Sequence, residues 1–176
     1  MSRLIVVSNR VTIPGPRDKA SAGGLAVALH SALRKYHGIW FGWSGKVVDS
    51  ATAQLDIVKS DSVTIATTDL SHDDYEEYYN GFANSALWPL FHYRIDLTNY
   101  DRRFDKGYFR VNNRFAHAIV PLLEADDLIW VHDYHLIACA EEMRRMGVNN
   151  RIGFFLHIPF PAPQVLLTLP NHQAIV

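Results

Sequence analysis

Cysteine is almost absent from this chain, which has only Cys139 among its 176 residues. A single thiol cannot form an internal disulfide, and this cysteine usage fits a protein of the reducing cytoplasm. Charge of one sign is lacking too, because the formal net charge is −1. The charge balance therefore gives no reason to expect nucleic acid or an anionic membrane as a partner. No apolar run reaches the length that spans a bilayer, since His or Pro interrupts the longest ones.

Two common nucleotide-binding motifs are also missing. No G-x-G-x-x-G occurs, and residues 42–46 (GWSGK) lack the spacing of a P-loop. We therefore discard functions that depend on NAD or on ATP hydrolysis. The composition that remains, 48% hydrophobic and 20% charged, is typical of one packed domain and not of a disordered chain.

Short apolar runs alternate with amphipathic stretches along the chain, which predicts an α/β fold. The runs that predict strands are residues 4–8, 39–42, 63–67, 128–131 and 152–156. The stretches that predict helices are residues 21–36, 108–124, 136–146 and 163–169. A further helix is predicted to start after Ser71, its N-cap, with Asp74 three residues later as the capping-box partner. The last two strands and the helix between them form a βαβ unit, so these strands should be parallel. The apolar end of the chain has no capping signal, which predicts a truncated domain.

Polar side chains stand where predicted strands end. Arg10 follows the first strand, while Asp133 and His157 follow the last two. Ligands of an open parallel sheet bind beyond the carboxyl ends of its strands, so the pattern predicts a small-molecule site. The forked donors of Arg10 match a phosphate, and the Asp133 carboxylate could hold sugar hydroxyls. The alternatives are a solvated surface arginine and an aspartate that caps the next helix.

Four further residues allow either a binding role or a structural one. Gly23 and Gly24 open a predicted helix, where free backbone N–H groups attract an anion, although paired glycines there are often only turn chemistry. Trp88 precedes Pro89, which should push its backbone out of a helix and towards an extended conformation. Its ring could form the apolar wall of a sugar site or pack in the core, and the Tyr79 hydroxyl is equally ambiguous.

A metal site is the weaker interpretation of the second half of the chain. His132, Asp133, His135 and His157 could supply ligands, but their spacing matches no known closed set. No second cysteine or Glu-x-x-His pattern supports them. We therefore expect neither a metal nor a cofactor.

Seven motifs, taken in order, resemble the amino-terminal part of the trehalose-6-phosphate synthase family, a family of retaining glycosyltransferases. They are SNR at 8–10, ASAGGL at 20–25, WFGWSG at 40–45, YYN at 78–80, LWP at 87–89, VHDYHL at 131–136 and GFFLHIPFP at 153–161. The likeness runs from residue 1 to about residue 170. The resemblance implies a Rossmann-like parallel sheet with helices on both faces, the amino-terminal half of a glycosyltransferase-B architecture.

The resemblance also implies a reaction. Glucose would pass from UDP-glucose to glucose 6-phosphate, giving α,α-trehalose 6-phosphate and UDP with no required metal. Four residues would bind glucose 6-phosphate: Arg10, Tyr79, Trp88 and Asp133. Three would bind UDP-glucose: Gly23, Gly24 and His157. Trp88 would help to select the acceptor anomer, and His157 and Asp133 would be the catalytic residues.

The same resemblance implies that something is missing. Residues 1–176 would form the acceptor-binding domain, whereas the nucleotide-sugar domain lies outside this chain, so we expect the chain alone to be inactive. Family members are often tetramers, and the choice among UDP-, GDP- and ADP-glucose depends on groups of the other domain. Two alternatives are a non-catalytic domain that binds sugar phosphate and, less favoured, a metal-dependent hydrolase.

Overall fold

The computed structural model describes residues 2–11, 24–52, 54–60 and 62–175. Six strands form one sheet in the order β3-β4-β2-β1-β5-β6. Their bounds are β1 Leu4–Arg10, β2 Ile39–Val48, β3 Asp56–Ser60, β4 Val63–Ser71, β5 Leu128–His132 and β6 Arg151–Phe155. Neighbouring strands are parallel except β3 and β4, which are antiparallel. The predicted α/β fold and the parallel pairing of the last two strands are confirmed.

Helices cover both faces of the sheet. They are α1 Gly24–Lys35, α2 His72–Asp74, a π-helix Tyr75–Leu87, α3 Trp88–Phe91, α4 Arg102–Ile119, α5 Cys139–Arg145 and α6 Pro163–Leu166. Four 3₁₀ turns join them, at Ile95–Leu97, Val120–Leu122, Tyr134–Leu136 and His172–Ala174. No helix in the described ranges is long and apolar enough to cross a membrane.

The central strand β1 explains why both faces need a cover. Ile5 and Val7 are fully buried in the larger apolar cluster, which includes residues of the π-helix, α4 and α5. Their neighbour Val6 points the other way and packs in a second cluster with Leu29 and Leu33 of α1. Successive side chains of a strand alternate between faces, so an uninterrupted apolar strand is stable only between two layers of helix.

Two strands on one side of the sheet differ from the sequence prediction. β2 continues six residues beyond the predicted end at Gly42, past an irregularity in its pairing with β4 between Trp43 and Val47. β3 was not predicted at all, because it is a short edge strand whose Ile57 and Val58 are exposed. An edge strand pairs with a neighbour on one side only and is more exposed to solvent. Its residues therefore alternate less clearly between apolar and polar, which is the pattern that predicts a strand.

The helix that starts after Ser71 is capped as predicted. The Asp74 backbone N–H donates to Ser71 Oγ at 3.1 Å. The Asp74 carboxylate, however, accepts bonds from Arg110 Nε at 2.8 Å and from Arg114 Nη1 at 2.6 Å. The capping-box partner therefore ties the start of this helix to α4 and leaves only half of the predicted box.

The expected extended backbone at Trp88 was wrong. Trp88 has φ −59° and ψ −51° and begins α3, with Pro89 in the first turn. A proline in a helix removes the N–H that would bond the carbonyl four residues earlier, here Ser85. The Ser85 carbonyl instead accepts the Asn99 backbone N–H at 2.8 Å, and the helix continues through Pro89.

β6 lies at the other edge of the sheet and leaves apolar surface open. Of the described strands, only β5 pairs with it. Phe154 and Phe155 are 43% and 47% exposed, and Leu128 on β5 is exposed as well. This edge therefore presents both unpaired backbone groups and apolar side chains.

Candidate functional site at the carboxyl edge of the sheet

The carboxyl ends of β1, β2, β5 and β6 meet at one edge, because these strands are parallel neighbours. In the strand register Arg10 lies beside Trp43, and His132 lies beside Phe155. Asp133 comes directly after the end of β5, and His157 comes two residues after the end of β6. The predicted gathering of Arg10, Asp133 and His157 along one rim is therefore what the fold produces.

Neighbouring residues fix the position of the Arg10 guanidinium at this rim. Its guanidinium carbon lies 5.6 Å from the centroid of the Trp43 ring, within the range of a cation–π contact. The same group lies against Gly45, where a β-carbon would come within 2.7 Å of Arg10 Nη2. Gly45 has φ +91°, a conformation that glycine adopts without cost. The guanidinium is thus placed by its surroundings while the residue remains exposed to solvent.

Aromatic rings connect Arg10 to Asp133. The Tyr79 ring lies 5.6 Å from the Trp43 ring and is stacked on the His135 ring at 5.6 Å. His135 in turn lies 4.0 Å from the ring of Tyr134, the residue after Asp133. The sequence identified Tyr79 as a candidate and His135 only as a possible metal ligand. It missed Trp43, because a buried aromatic residue on a strand looks like ordinary core.

Asp133 holds an unusual backbone conformation. Its φ is +75° and its ψ is 164°, a region that is essentially restricted to glycine and costs about 1–3 kcal/mol for other residues. Its Oδ1 accepts the Tyr134 backbone N–H at 3.0 Å and the His157 backbone N–H at 3.3 Å. The helix cap that we weighed as an alternative is present. The strain shows that the position is held by its surroundings, which is common at functional sites.

His157 is joined to the end of β5 a second time through its ring. His157 Nε2 lies 2.9 Å from Nδ1 of His132, a residue that is only 2% exposed. We had considered His132 solely as a metal ligand. In the described ranges no three His, Cys, Asp or Glu side chains gather as metal ligands would.

Two predicted residues lie apart from this chain of contacts, and one lies outside the described residues. Trp88 is 41% exposed on α3, and its ring contacts the ring of His92 at 4.1 Å. Gly24 is the first residue of α1, as the paired glycines predicted, but Gly23 falls outside the described part of the chain.

The two buried histidines make stability sensitive to acid. Burial lowers the pKa of His132 to about 4, helped by the nearby His157, and lowers the pKa of His135 to about 3, against 6.5 in an unfolded chain. Above pH 6.5 both histidines are mostly neutral in the folded state and in the unfolded state. As the pH falls below 6.5, the unfolded state binds protons that the folded state refuses, so the free energy of unfolding decreases until about pH 4 and pH 3, respectively.

We expect each histidine to remove about 1.4 kcal/mol of unfolding free energy per pH unit in this window. Urea unfolding at pH 7 and at pH 5 measures the loss. His135→Phe should remove the part of the slope that one histidine contributes, about 1.4 kcal/mol per pH unit. Equal slopes for His135→Phe and the original chain would contradict the assignment.

Comparison with known proteins assigns the chain to a family. Residues 2–176 match the profile of glycosyltransferase family 20. The chain belongs to glycosyltransferase family 20. A family member from Sinorhizobium fredii (strain NBRC 101917 / NGR234), named trehalose-6-phosphate synthase, is 55% identical over 178 aligned positions. The alignment covers 100% of this chain and 38% of the relative, so the chain spans well under half the length of that protein.

Two solved structures extend the likeness to three dimensions and contain ligands. An α,α-trehalose-phosphate synthase (UDP-forming) from Burkholderia xenovorans, in complex with glucose-6-phosphate, has a TM-score of 0.87 and 53% identity, covering 99% of this chain and 39% of that one. A structure from E. coli bound with UDP-2-fluoro glucose has a TM-score of 0.91 and 49% identity, covering 99% and 37%. The Rossmann-like sheet with helices on both faces is therefore the amino-terminal part of these glycosyltransferases.

Proposed function

We propose that this chain is the acceptor-binding half of an α,α-trehalose-phosphate synthase (UDP-forming). The observation that carries the proposal is the continuous rim of Arg10, Trp43, Tyr79, His135 and Asp133. It places a cation, a half-buried tyrosine and a carboxylate along one edge of the sheet, supported by the buried rings of Trp43 and His135. A phosphate and a polyhydroxylated ring need these groups together. The family 20 structure that contains glucose-6-phosphate supports this choice of ligand.

In the proposed reaction, the bond between C1 of the donor glucose and the UDP oxygen breaks. The anomeric oxygen of glucose 6-phosphate bonds to that C1 and loses its proton, and UDP leaves with the electron pair. Arg10 would hold the acceptor phosphate, and Tyr79 and Asp133 would hold the acceptor sugar. Trp88, the exposed first residue of α3, would select the anomer of the acceptor sugar.

The donor side is less complete within this chain. Gly23, Gly24 and His157 are the residues we assign to UDP-glucose. The E. coli structure bound with UDP-2-fluoro glucose supports the choice of ligand. The charge that develops on the leaving diphosphate needs fixed donors, and loss of one such donor commonly costs about a hundredfold in rate. Because the chain spans about 38% of its relatives, we infer that those donors lie in the remainder of the enzyme and that this chain alone turns over no substrate. Assembly into a tetramer and a cytoplasmic location also remain proposals.

Arg10→Lys tests the phosphate assignment. A point charge would replace a forked donor, so we expect affinity for glucose 6-phosphate to fall about tenfold or more, as loss of one charge-assisted hydrogen bond does. Affinity for glucose should stay the same. Chemical-shift titration of the 176-residue chain with each sugar measures both.

Arg145→Lys is the matched control. Arg145 is also exposed, but it pairs with Glu141 and Glu142 on α5, away from the rim. This variant should bind both sugars as the original chain does. If Arg10→Lys weakens glucose and glucose 6-phosphate equally, Arg10 does not hold the phosphate.

A further inference from the structure

We propose that His132 is a positioning residue that sets the tautomer of His157. The inference rests on the proposed function, in which His157 binds UDP-glucose, and it adds a residue to which the family comparison gives no role. Two consecutive residues would then fix His157: the Asp133 carboxylate accepts its backbone N–H, and the His132 ring bonds its ring.

The contact between the two rings is specific. His132 Nδ1 and His157 Nε2 are 2.9 Å apart, and the ring planes are inclined by only 19°. His132 is enclosed by the Trp130 ring at 4.4 Å and the Phe155 ring at 6.3 Å, whereas His157 is exposed. The His157 backbone N–H donates to Asp133 Oδ1, so the residue cannot swing away from this partner easily. The buried His132 ring therefore contacts one defined nitrogen, Nε2, of the exposed His157 ring.

A hydrogen bond between two neutral imidazoles needs one proton between the nitrogens. Burial keeps His132 neutral, since its pKa is lowered to about 4. Two arrangements remain. In the first, His132 Nδ1–H donates and His157 Nε2 accepts. In the second, His157 Nε2–H donates, and the proton of His132 sits on its own Nε2.

The surroundings of His132 Nε2 decide between them. This nitrogen is buried and has no hydrogen-bond partner in the described part of the chain. A buried N–H without an acceptor is rarer and more costly than a buried lone pair without a donor. The first arrangement is therefore favoured, and the single proton of His157 must sit on its Nδ1, because the bond at one imidazole nitrogen determines the state of the other.

This assignment gives His157 a definite chemical character. An Nδ1–H is a donor, which suits an oxygen of a sugar or of a phosphate and does not suit abstraction of a proton by the same nitrogen. His157 would thus orient or stabilise an oxygen, with His132 preventing the tautomer that would make Nδ1 an acceptor.

Long-range ¹H–¹⁵N correlation spectra report imidazole tautomers directly and need neither substrate nor the rest of the enzyme. At pH 7.5 we expect His157 of the 176-residue chain to show a protonated Nδ1 and an unprotonated Nε2. His132→Phe keeps the volume and removes the donor, so His157 should shift to a mixture that contains the Nε2–H form. His132→Asn, whose amide can donate from a similar position, should restore the Nδ1–H form.

The control is His117→Phe, on α4, which should leave the His157 spectrum unchanged. An Nε2–H tautomer for His157 in the original chain would overturn the proposal, and so would a His157 spectrum that His132→Phe does not alter. If His132→Phe fails to fold, the spectrum of the original chain and that of His132→Asn still decide. A correct tautomer without any binding of glucose 6-phosphate would leave this inference standing and refute the proposed function instead.

Discussion

Asp133→Gly is expected to lose most of the affinity for glucose 6-phosphate while folding better than Asp133→Ala. Both variants remove the same carboxylate and the same hydrogen bonds to Tyr134 and His157, so these losses cancel in the comparison. The variants differ in the backbone at φ +75° and ψ 164°, which glycine adopts freely and alanine does not. The difference in unfolding free energy should be about 1–3 kcal/mol in favour of glycine.

Affinity for glucose 6-phosphate, unlike stability, should fall equally in the two variants. A carboxylate that accepts sugar hydroxyls contributes about 1.5–3 kcal/mol per charge-assisted bond, so affinity should fall about 10- to 100-fold in both variants. Thermal unfolding and titration with glucose 6-phosphate, carried out on the same samples, separate the two effects. If both variants bind like the original chain, Asp133 serves only as a helix cap. If alanine and glycine are equally stable, the backbone there is not strained.

Gly45→Ala is expected to weaken glucose 6-phosphate about tenfold with little effect on glucose. The added β-carbon would lie 2.7 Å from Arg10 Nη2 and 2.8 Å from Nε, so the guanidinium has to leave this position. Because these atoms are the far end of a flexible side chain, the move is cheap for folding and damaging only for phosphate recognition.

Gly147→Ala provides a matched control. Gly147 has φ +84°, close to the +91° of Gly45, so alanine meets the same backbone strain at both sites. At Gly147, however, an added β-carbon has no neighbour within 4 Å. Both variants should lose similar stability, but only Gly45→Ala should lose affinity in a chemical-shift titration.

A double mutant completes the test. If Gly45 acts through Arg10, Gly45→Ala should have little further effect once Arg10 is lysine, because residues that share one interaction are not additive. Equal affinities for glucose 6-phosphate in Gly45→Ala and Gly147→Ala would show that the position of the Arg10 guanidinium does not affect binding.

The sheet could be predicted from the sequence because its central strands are buried on both faces. Runs such as residues 4–8 and 128–131 have no other stable place in a chain of this size, and their polar successors, Arg10 and Asp133, follow at the shared edge. The local rule failed at Trp88: proline disfavours a helical backbone at the residue before it, yet Trp88 is helical, and the distant Asn99 bonds the Ser85 carbonyl of the same helix. Rules for neighbouring residues cannot include a partner that arrives from another part of the fold.

The residues that position the binding groups could not be predicted from the sequence, for the same reason. Gly45 looks like turn chemistry until Arg10 is placed against it, and His132 looks like a metal ligand until its Nδ1 is seen beside His157. Both depend on a distance between segments that periodicity does not encode. Residue type indicated which chemistry was available, while the fold determined which groups act on one another.

The open edge at β6 has a practical consequence for every measurement on this chain. In the described part of the chain no strand pairs with the outer side of β6, so its backbone groups there, flanked by Phe154 and Phe155, are a template on which a strand of a second molecule can add. Such addition removes apolar surface from water and grows with protein concentration. Melting and titration data for all variants should therefore be compared at one low concentration, so that self-association is not mistaken for stability.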